Sequence, residues 1–233
     1  MKVDKELQLL HLKNSLPSYA FEMLEFVKET LQGIDYNYYS KTKSVINFDR
    51  FLHTKRVLAW AVRIYNNHSL KDKLDYEAII ISAIFHDVGY CHIEDLDHHG
   101  KYSAIICEEY LTKLSFDKEK IEFIKYLISN HSNKDKMLND PSTPNELVIL
   151  MEADLFDEVG ILGLVEDSFY VAKKNNCDFS EVYLRFMEHT YFTNEWNPMV
   201  NEYSRKAWEE NTKLYEMIRL HFIEELGAED EKN

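Results

Sequence analysis

The most constraining feature of the chain is an apolar run that ends on two polar side chains. Residues 78–85 have the sequence AIIISAIF, and His86 and Asp87 follow directly. Asp75 stands where a helix N-cap is expected, and Gly89 stands where the helix is expected to end. The pattern predicts an apolar helix whose last turn leads into two side chains of the kind that bind metal ions.

Apolar residues recur at helical spacing along the rest of the chain, and no alternating strand pattern interrupts them. Only six glycines and four prolines are present, which also favours helices over a turn-rich β architecture. The predicted fold class is all-α, a compact bundle of many helices. The helix after Pro17 should present Phe21, Leu24, Val27 and Leu31 as its apolar face. Further helices are predicted near residues 48–65, where His53 should face the core, and near 98–114, 117–131, 145–164 and 200–226.

Composition limits the cellular setting. Hydrophobic residues make up 45% of the 233 residues and charged residues 29%, as in ordinary water-soluble proteins, and no apolar run approaches the roughly 18 residues of a membrane span. The first residues lack the pattern of a signal peptide, so a cytoplasmic protein without a membrane partner is expected. The three cysteines are widely spaced, which fits a reducing compartment better than a disulfide framework.

The net charge of the chain limits the molecules that it is expected to bind. The formal net charge is -14, and no block of lysine and arginine residues offsets it, so long nucleic acids are not expected to bind. A small anionic substrate remains compatible with this charge if a metal ion and a few local cations receive it. Imidazole nitrogens and carboxylates suited to such an ion are supplied by His53, His86, Asp87 and Asp154.

These residues, in this order and helical context, resemble the HD superfamily of metal-dependent phosphohydrolases. The resemblance covers about residues 47–160, roughly half of the chain. Its motif segments are residues 48–57 (FDRFLHTKRV), 83–89 (AIFHDVG), 99–104 (HGKYSA), 128–132 (ISNHS) and 152–157 (EADLFD). It implies one helical domain over residues 1–233, with a motif-bearing core at about 47–165 and flanking helices at 4–33 and 166–226.

The resemblance also implies a ligand set for one or two divalent ions, placed between core helices. His53, His86, Asp87 and Asp154 match the ligands of a first ion. Asp87 can lie between two ions, and His99 and His131 match the ligands of the second, with His98 as an alternative to its neighbour His99. Imidazole and carboxylate ligands do not distinguish Mn, Fe, Co, Ni, Zn and Mg.

The activity implied is hydrolysis of a phosphate ester or anhydride by a water that the metal activates, with His86 and Asp87 as catalytic residues. The expected substrate is a small phosphorylated molecule, with a nucleotide as the leading class. Cations close to the motif histidines are the candidates for binding phosphate: Arg50, Arg56 and Lys101. Acidic residues that could orient the water or the histidines are Glu94, Asp95 and Asp157. Tyrosines that could stack on a base, although packing is the commoner use, are Tyr36, Tyr38, Tyr39, Tyr90 and Tyr102.

At two positions the sequence departs from particular branches of the HD superfamily, and two alternative functions stay open. Tyr90 stands where the cyclic-dinucleotide phosphodiesterases usually have lysine, and Asp87 is not followed by the acidic pair typical of alarmone hydrolases. The broad group of stand-alone hydrolases remains. The alternatives are a non-catalytic module that senses a metal or nucleotide, and a di-iron oxygenase, an activity of a minority branch that uses six protein ligands. The sequence leaves the oligomeric state open.

Overall fold

A computed structural model of the chain describes residue 12 and residues 15–32, 50–92, 94–159, 161–172, 178–188 and 196–227. Every regular element in these segments is helical, which confirms the predicted all-α class. The α-helices are α1 (Tyr19–Leu31), α2 (Arg50–Asn67), α3 (Tyr76–Phe85), α4 (His99–Lys113), α5 (Lys118–Asn130), α6 (Asp135–Asn139), α7 (Asn145–Val159), α8 (Ile161–Ala172), α9 (Phe179–Glu188) and α10 (Glu202–Leu226). None of them is long and apolar enough to cross a membrane.

Some sequence-based predictions fall outside the described residues. They concern the motif residues 47–49, the flanking helix before residue 12, the tyrosines at 36, 38 and 39, and the cysteine at 177. The helix predicted at 145–164 is found as α7 followed by α8, and residue 160 between them is also outside the described segments.

Helix α3 lies at the centre of the bundle. Each residue from 78 to 85 is buried, and a helix that is apolar on every side has to be enclosed by other helices. It packs against α1, α2, α4, α5 and α7. Asp75 is its N-cap and accepts a hydrogen bond from the backbone N–H of Ala78 at 3.0 Å. The apolar run thus forms the centre of the core, and its C-terminal end opens among the surrounding helices.

Helix α1 buries one face, and it corrects one prediction. Leu24, Val27 and Leu31 are buried as predicted, together with Ala20, but Phe21 is 38% exposed. Successive helical residues point about 100° apart. Phe21 therefore lies at the edge of the stripe centred on Ala20 and Leu24, where it is only partly covered.

Gly89 does not end α3 in the way the sequence suggested. The helix already ends at Phe85, and Gly89 lies in a 3₁₀ turn without the left-handed backbone of a glycine cap. The close packing of the next helix explains the residue instead. A Cβ at this position would lie 2.1 Å from the His99 carbonyl oxygen and 2.5 Å from the Ser103 amide nitrogen. The glycine lets α4 start directly against the turn that follows Asp87.

Glu152 on α7 ties the start of α10 to the core. Its carboxylate is fully buried. One oxygen accepts the backbone N–H groups of Val200 and Asn201 at 2.7 and 2.8 Å. The other accepts the Asn201 side-chain amide at 2.8 Å and the Ser204 hydroxyl at 2.5 Å. A carboxylate at a helix N-terminus also interacts favourably with the helix dipole.

We expect Glu152→Ala to lower the free energy of unfolding by about 3 kcal/mol, because four donors would lose a charged acceptor and two of them are backbone groups. Urea denaturation followed by circular dichroism measures the change. The control is Glu209→Ala, an exposed residue of α10, for which a change below about 0.5 kcal/mol is expected. A loss below about 1 kcal/mol in Glu152→Ala would contradict this role.

Candidate metal centre

Six candidate ligands from five separate parts of the chain converge at the C-terminal end of α3. Five of the six are buried, and the His99 side chain is 13% exposed. Four of them stand at or just beyond helix ends, where the backbone leaves room for side chains to meet. His53 comes from α2, His86 and Asp87 follow α3, His99 begins α4, His131 follows α5, and Asp154 comes from α7.

The first cluster consists of His53, His86, Asp154 and one oxygen of Asp87. The Nε2 atoms of His53 and His86 are 3.2 Å apart. Asp154 Oδ1 lies 3.2 Å from His53 Nε2 and 3.8 Å from His86 Nε2. Asp87 Oδ2 lies 3.3 and 3.6 Å from the same two nitrogens. Four donor atoms therefore face one small volume.

The second cluster consists of His99, His131 and the other oxygen of Asp87. Asp87 Oδ1 lies 3.5 Å from His99 Nε2 and 3.4 Å from His131 Nε2, and these nitrogens are 3.3 Å apart. The Ser132 hydroxyl lies 3.1 Å from His131 Nε2 and 3.2 Å from His99 Nε2. Asp87 thus joins both clusters through one carboxylate.

Backbone acceptors orient two of the histidines toward the clusters. His86 Nδ1 lies 2.9 Å from the carbonyl oxygen of Ala83, and His131 Nδ1 lies 2.7 Å from that of Ile128. A carbonyl oxygen can only accept a hydrogen bond, so each Nδ1 carries the proton. In the neutral rings, each Nε2 then presents a lone pair to its cluster.

The donor set fits a divalent cation. Lone pairs and carboxylate oxygens that face one another at 3.2 to 3.8 Å repel unless a cation or a proton lies between them. A tetrahedral ion with bonds of about 2.1 Å holds its donors about 3.4 Å apart. The observed separations in the first cluster bracket that value, so its donors need little movement to bind an ion.

The protonation of the two histidines in the first cluster differs sharply. Burial favours a neutral His53, but its hydrogen bonds to Asp154, Asp157 and Asp87 outweigh this effect and raise its pKa well above the usual value. Burial lowers the pKa of His86 to about 4. An ion that binds His53 Nε2 has to displace a proton, so metal affinity should increase with pH.

Asp157 forms a second layer behind His53. Its Oδ2 accepts a hydrogen bond from His53 Nδ1 at 2.7 Å. Arg56 donates to both oxygens of the same carboxylate, at 2.6 Å from Nε and 2.9 Å from its terminal nitrogen. The structure therefore places Arg56, a candidate for phosphate, behind the first cluster, where it holds the residue that orients His53.

A cleft of about 190 Å³ opens onto both clusters. At the edge of the cleft, Arg50 donates a hydrogen bond to Asp87 Oδ2 at 3.0 Å, and Lys134 donates one to Asp154 Oδ2 at 2.5 Å. Lys101 is exposed on α4 and does not line the cleft. The lining residues are Arg50, Asp87, Tyr90, His99, His131, Ser132, Lys134 and Asp154.

Sequence reasoning missed Lys134, although the signal was present. Arg50, Arg56 and Lys101 became candidates because each lies within three residues of a motif histidine. The same criterion applied to His131 finds Lys134, three residues further on.

Neighbouring contacts distinguish His99 from His98. His98 Nδ1 pairs with Asp95 Oδ1 at 2.7 Å, and its side chain is 64% exposed. Asp95 also accepts the Tyr102 hydroxyl at 2.9 Å. This surface network turns His98 and Asp95 away from the clusters, and His99 is the one of the pair that reaches Asp87.

Tyr90 is enclosed between two residues of the cleft. Its ring stacks on His99 with centroids 4.3 Å apart and an interplanar angle of 14°. The guanidinium carbon of Arg50 lies 3.9 Å from the centroid of the same ring. Two groups this close cannot share one face, so both faces of Tyr90 are covered, and the ring supports Arg50 and His99.

Comparisons with known proteins agree with the geometry. The family model described as HD domain matches residues 50–158. The crystal structure of a predicted HD superfamily hydrolase from an uncultured Thermotogales bacterium is similar in fold, with a TM-score of 0.63 at 20% sequence identity. The alignment covers 94% of this chain and 98% of that one. No curated protein matches the sequence.

We expect Asp157→Asn to weaken binding of Mn²⁺ by about 10- to 100-fold, because the amide has a single acceptor oxygen, for which Arg56 then competes with the His53 Nδ1–H group. Isothermal titration calorimetry on metal-stripped protein gives the affinity. Asp72→Asn, in an exposed 3₁₀ turn, is the matched control and should bind as the unchanged protein does. Equal affinities for Asp157→Asn and the unchanged protein would show that the second layer does not orient the ligand.

Proposed function

Because the chain is an HD-domain protein, we propose that it is a metal-dependent phosphohydrolase that cleaves an ester or anhydride bond of a small phosphorylated molecule, with a nucleotide as the leading class. The observation that carries this proposal is the convergence of His53, His86, Asp154 and Asp87 Oδ2 in one cluster, of which Asp87 and Asp154 line a cleft that also contains cations. A bound phosphoryl group would thus meet an activated water and positive charge in one place.

These residues would hold a divalent ion, which would lower the pKa of a water molecule to about 7 and withdraw charge from a phosphoryl oxygen. The protein's own part is to keep its ligands ready for the ion. Burial alone would raise the pKa of Asp87, but the nearby His86, hydrogen bonds from His131 and His53, and the charge of Arg50 hold it well below its usual value. Asp87 therefore remains a carboxylate across the physiological range.

The surroundings of the clusters exclude bulk water. Asp87 and Asp154 are 3% and 5% exposed, and the histidines of the first cluster 1% or less. Electrostatic interactions are stronger in such an environment than in water. Arg50 is held in place by Asp87 and by the ring of Tyr90, so its guanidinium is oriented before a substrate arrives. Pre-oriented charge of this kind favours the developing charge of phosphoryl transfer.

A di-iron oxygenase is the second candidate, and one observation favours it. All six protein ligands that such a site uses converge here, and Asp87 faces both clusters. An experiment can distinguish the oxygenase from the hydrolase. An oxygenase loaded with Fe(II) would change colour and consume oxygen with its substrate, whereas a hydrolase would release phosphate or a phosphorylated product without oxygen.

Product release from a panel of nucleoside mono-, di- and triphosphates, phosphomonoesters and phosphodiesters tests the proposal. Metal-stripped protein is reloaded with Mn²⁺, Co²⁺, Fe²⁺ or Mg²⁺. We expect metal-dependent turnover that Asp87→Ala reduces by about a thousandfold or more, which corresponds to roughly 4 kcal/mol of transition-state stabilisation.

The control for this experiment is Asp72→Ala, which removes an exposed carboxylate of the 3₁₀ turn between α2 and α3 and should keep full turnover. If the protein binds metal stoichiometrically and releases no product from any compound, the hydrolase proposal fails. Oxygen uptake by the Fe(II)-loaded protein would then favour the oxygenase.

A further inference from the structure

Within the described part of the chain, two cations line the cleft, and one of them is Lys134, whose role the preceding sections leave open. Its side chain is 26% exposed and donates to Asp154 Oδ2 at 2.5 Å, while Asp154 Oδ1 faces the first cluster. A single carboxylate group therefore separates the Lys134 ammonium from the metal ligands. The ammonium has three N–H donors, and its bond to Asp154 uses one of them.

We propose that Lys134 and Arg50 together form an anion site for the phosphoryl group of a phosphate monoester. This inference rests on the proposed function and names its substrate class. Each cation is held by a different ligand carboxylate, Arg50 by Asp87 and Lys134 by Asp154. Oxygens of a phosphoryl group at the metal site would lie within reach of both cations, and ionised donors make the stronger hydrogen bonds.

The charges of the site match a dianion. Arg50 and Lys134 offset the negative charges of Asp87 and Asp154, and one divalent ion then leaves the site with two positive charges. A phosphate monoester, whose second pKa is about 6, carries nearly two negative charges at neutral pH. A diester carries one. Because the whole chain is strongly negative, with a formal charge of -14, attraction of this dianion depends on these local charges.

The shape of the cleft points the same way. Its volume of about 190 Å³ lies below the roughly 300–1,000 Å³ of pockets that enclose a whole drug-sized ligand. Apart from the histidines, Tyr90 is the aromatic residue in the described lining of the cleft. Both faces of its ring are covered, by His99 and by Arg50, so neither face is available to stack on a base. The cleft formed by the described residues thus suits a phosphoryl group, and the organic part of the substrate would extend out of it.

Lys134 could instead act only through Asp154, by holding that ligand for the metal. The two roles differ in what a neutral substitution changes. A lysine that binds substrate affects the affinity for phosphate at unchanged metal affinity. A lysine that only positions Asp154 affects the metal first, and phosphate binding falls as a consequence.

Binding of inorganic phosphate to the Mn²⁺-loaded protein, measured by calorimetry, is the test. We expect Lys134→Met to weaken phosphate binding by about 10- to 100-fold, the effect of losing one charged hydrogen bond, and to bind Mn²⁺ within about threefold of the unchanged protein. Lys134→Arg should restore most of the phosphate affinity. Lys113→Met, at the exposed end of α4, is the control, and Lys101→Met tests the lysine that the sequence suggested.

Unchanged phosphate binding in Lys134→Met would overturn the inference, as would loss of Mn²⁺ in parallel with phosphate. Loss of phosphate binding in Lys101→Met alone would also overturn it. Methyl phosphate should compete with inorganic phosphate at least about tenfold better than dimethyl phosphate, and equal competition would overturn the dianion assignment. Because binding needs no turnover, Lys134-dependent phosphate binding without hydrolysis of any compound would support the anion site while the proposed hydrolase activity failed.

Discussion

The carboxylate of Asp87 is the group on which the rest of the site depends. It is 3% exposed just beyond the end of α3, where an unpaired charge would cost several kcal/mol. Nitrogen atoms from three parts of the chain compensate this cost, since Arg50 and His53 of α2, His99 and His131 all lie within 3.5 Å of one of its oxygens. The helices that supply these nitrogens are therefore held together by their shared partner as well as by apolar packing.

The position of Asp87 follows from the apolar run before it. A helix that is apolar on every side is stable only when other helices enclose it, so its end is brought into the middle of the bundle. Polar side chains on the buried surface of a helix would compete with this packing. The chain avoids this conflict for three ligands by placing His86 and Asp87 just after the last turn, and His131 just after α5. The site thus occupies the space beyond the ends of α3 and α5, and His53 and Asp154 reach it from within α2 and α7.

The ligands could be predicted from the sequence because their residue types, order and helical context are local properties. The fold class was predictable for the same reason, from apolar spacing and the scarcity of glycine. Pairing between distant side chains was not predictable. Arg56 and Lys134 are both cations close to a motif histidine, yet Arg56 lies behind His53 on Asp157, and Lys134 faces the cleft. Their difference depends on how α2 and the segment before α6 each pack against α7, and no local sequence pattern shows that packing.

Gly89 and Glu152 show the same limit in the scaffold. Gly89 was identified as important, but its reason is the approach of the α4 backbone to within 2.1 Å of a Cβ position. Glu152 looked like a neighbour of Asp154, yet its carboxylate satisfies the first backbone N–H groups before α10, nearly fifty residues later. On α7, Glu152 thus binds the start of α10, while Asp154 and Asp157, two and five residues further on, face the metal centre. A shift of this one helix would disturb the scaffold and the ligands together, so the geometry of the site is inseparable from the packing of the core.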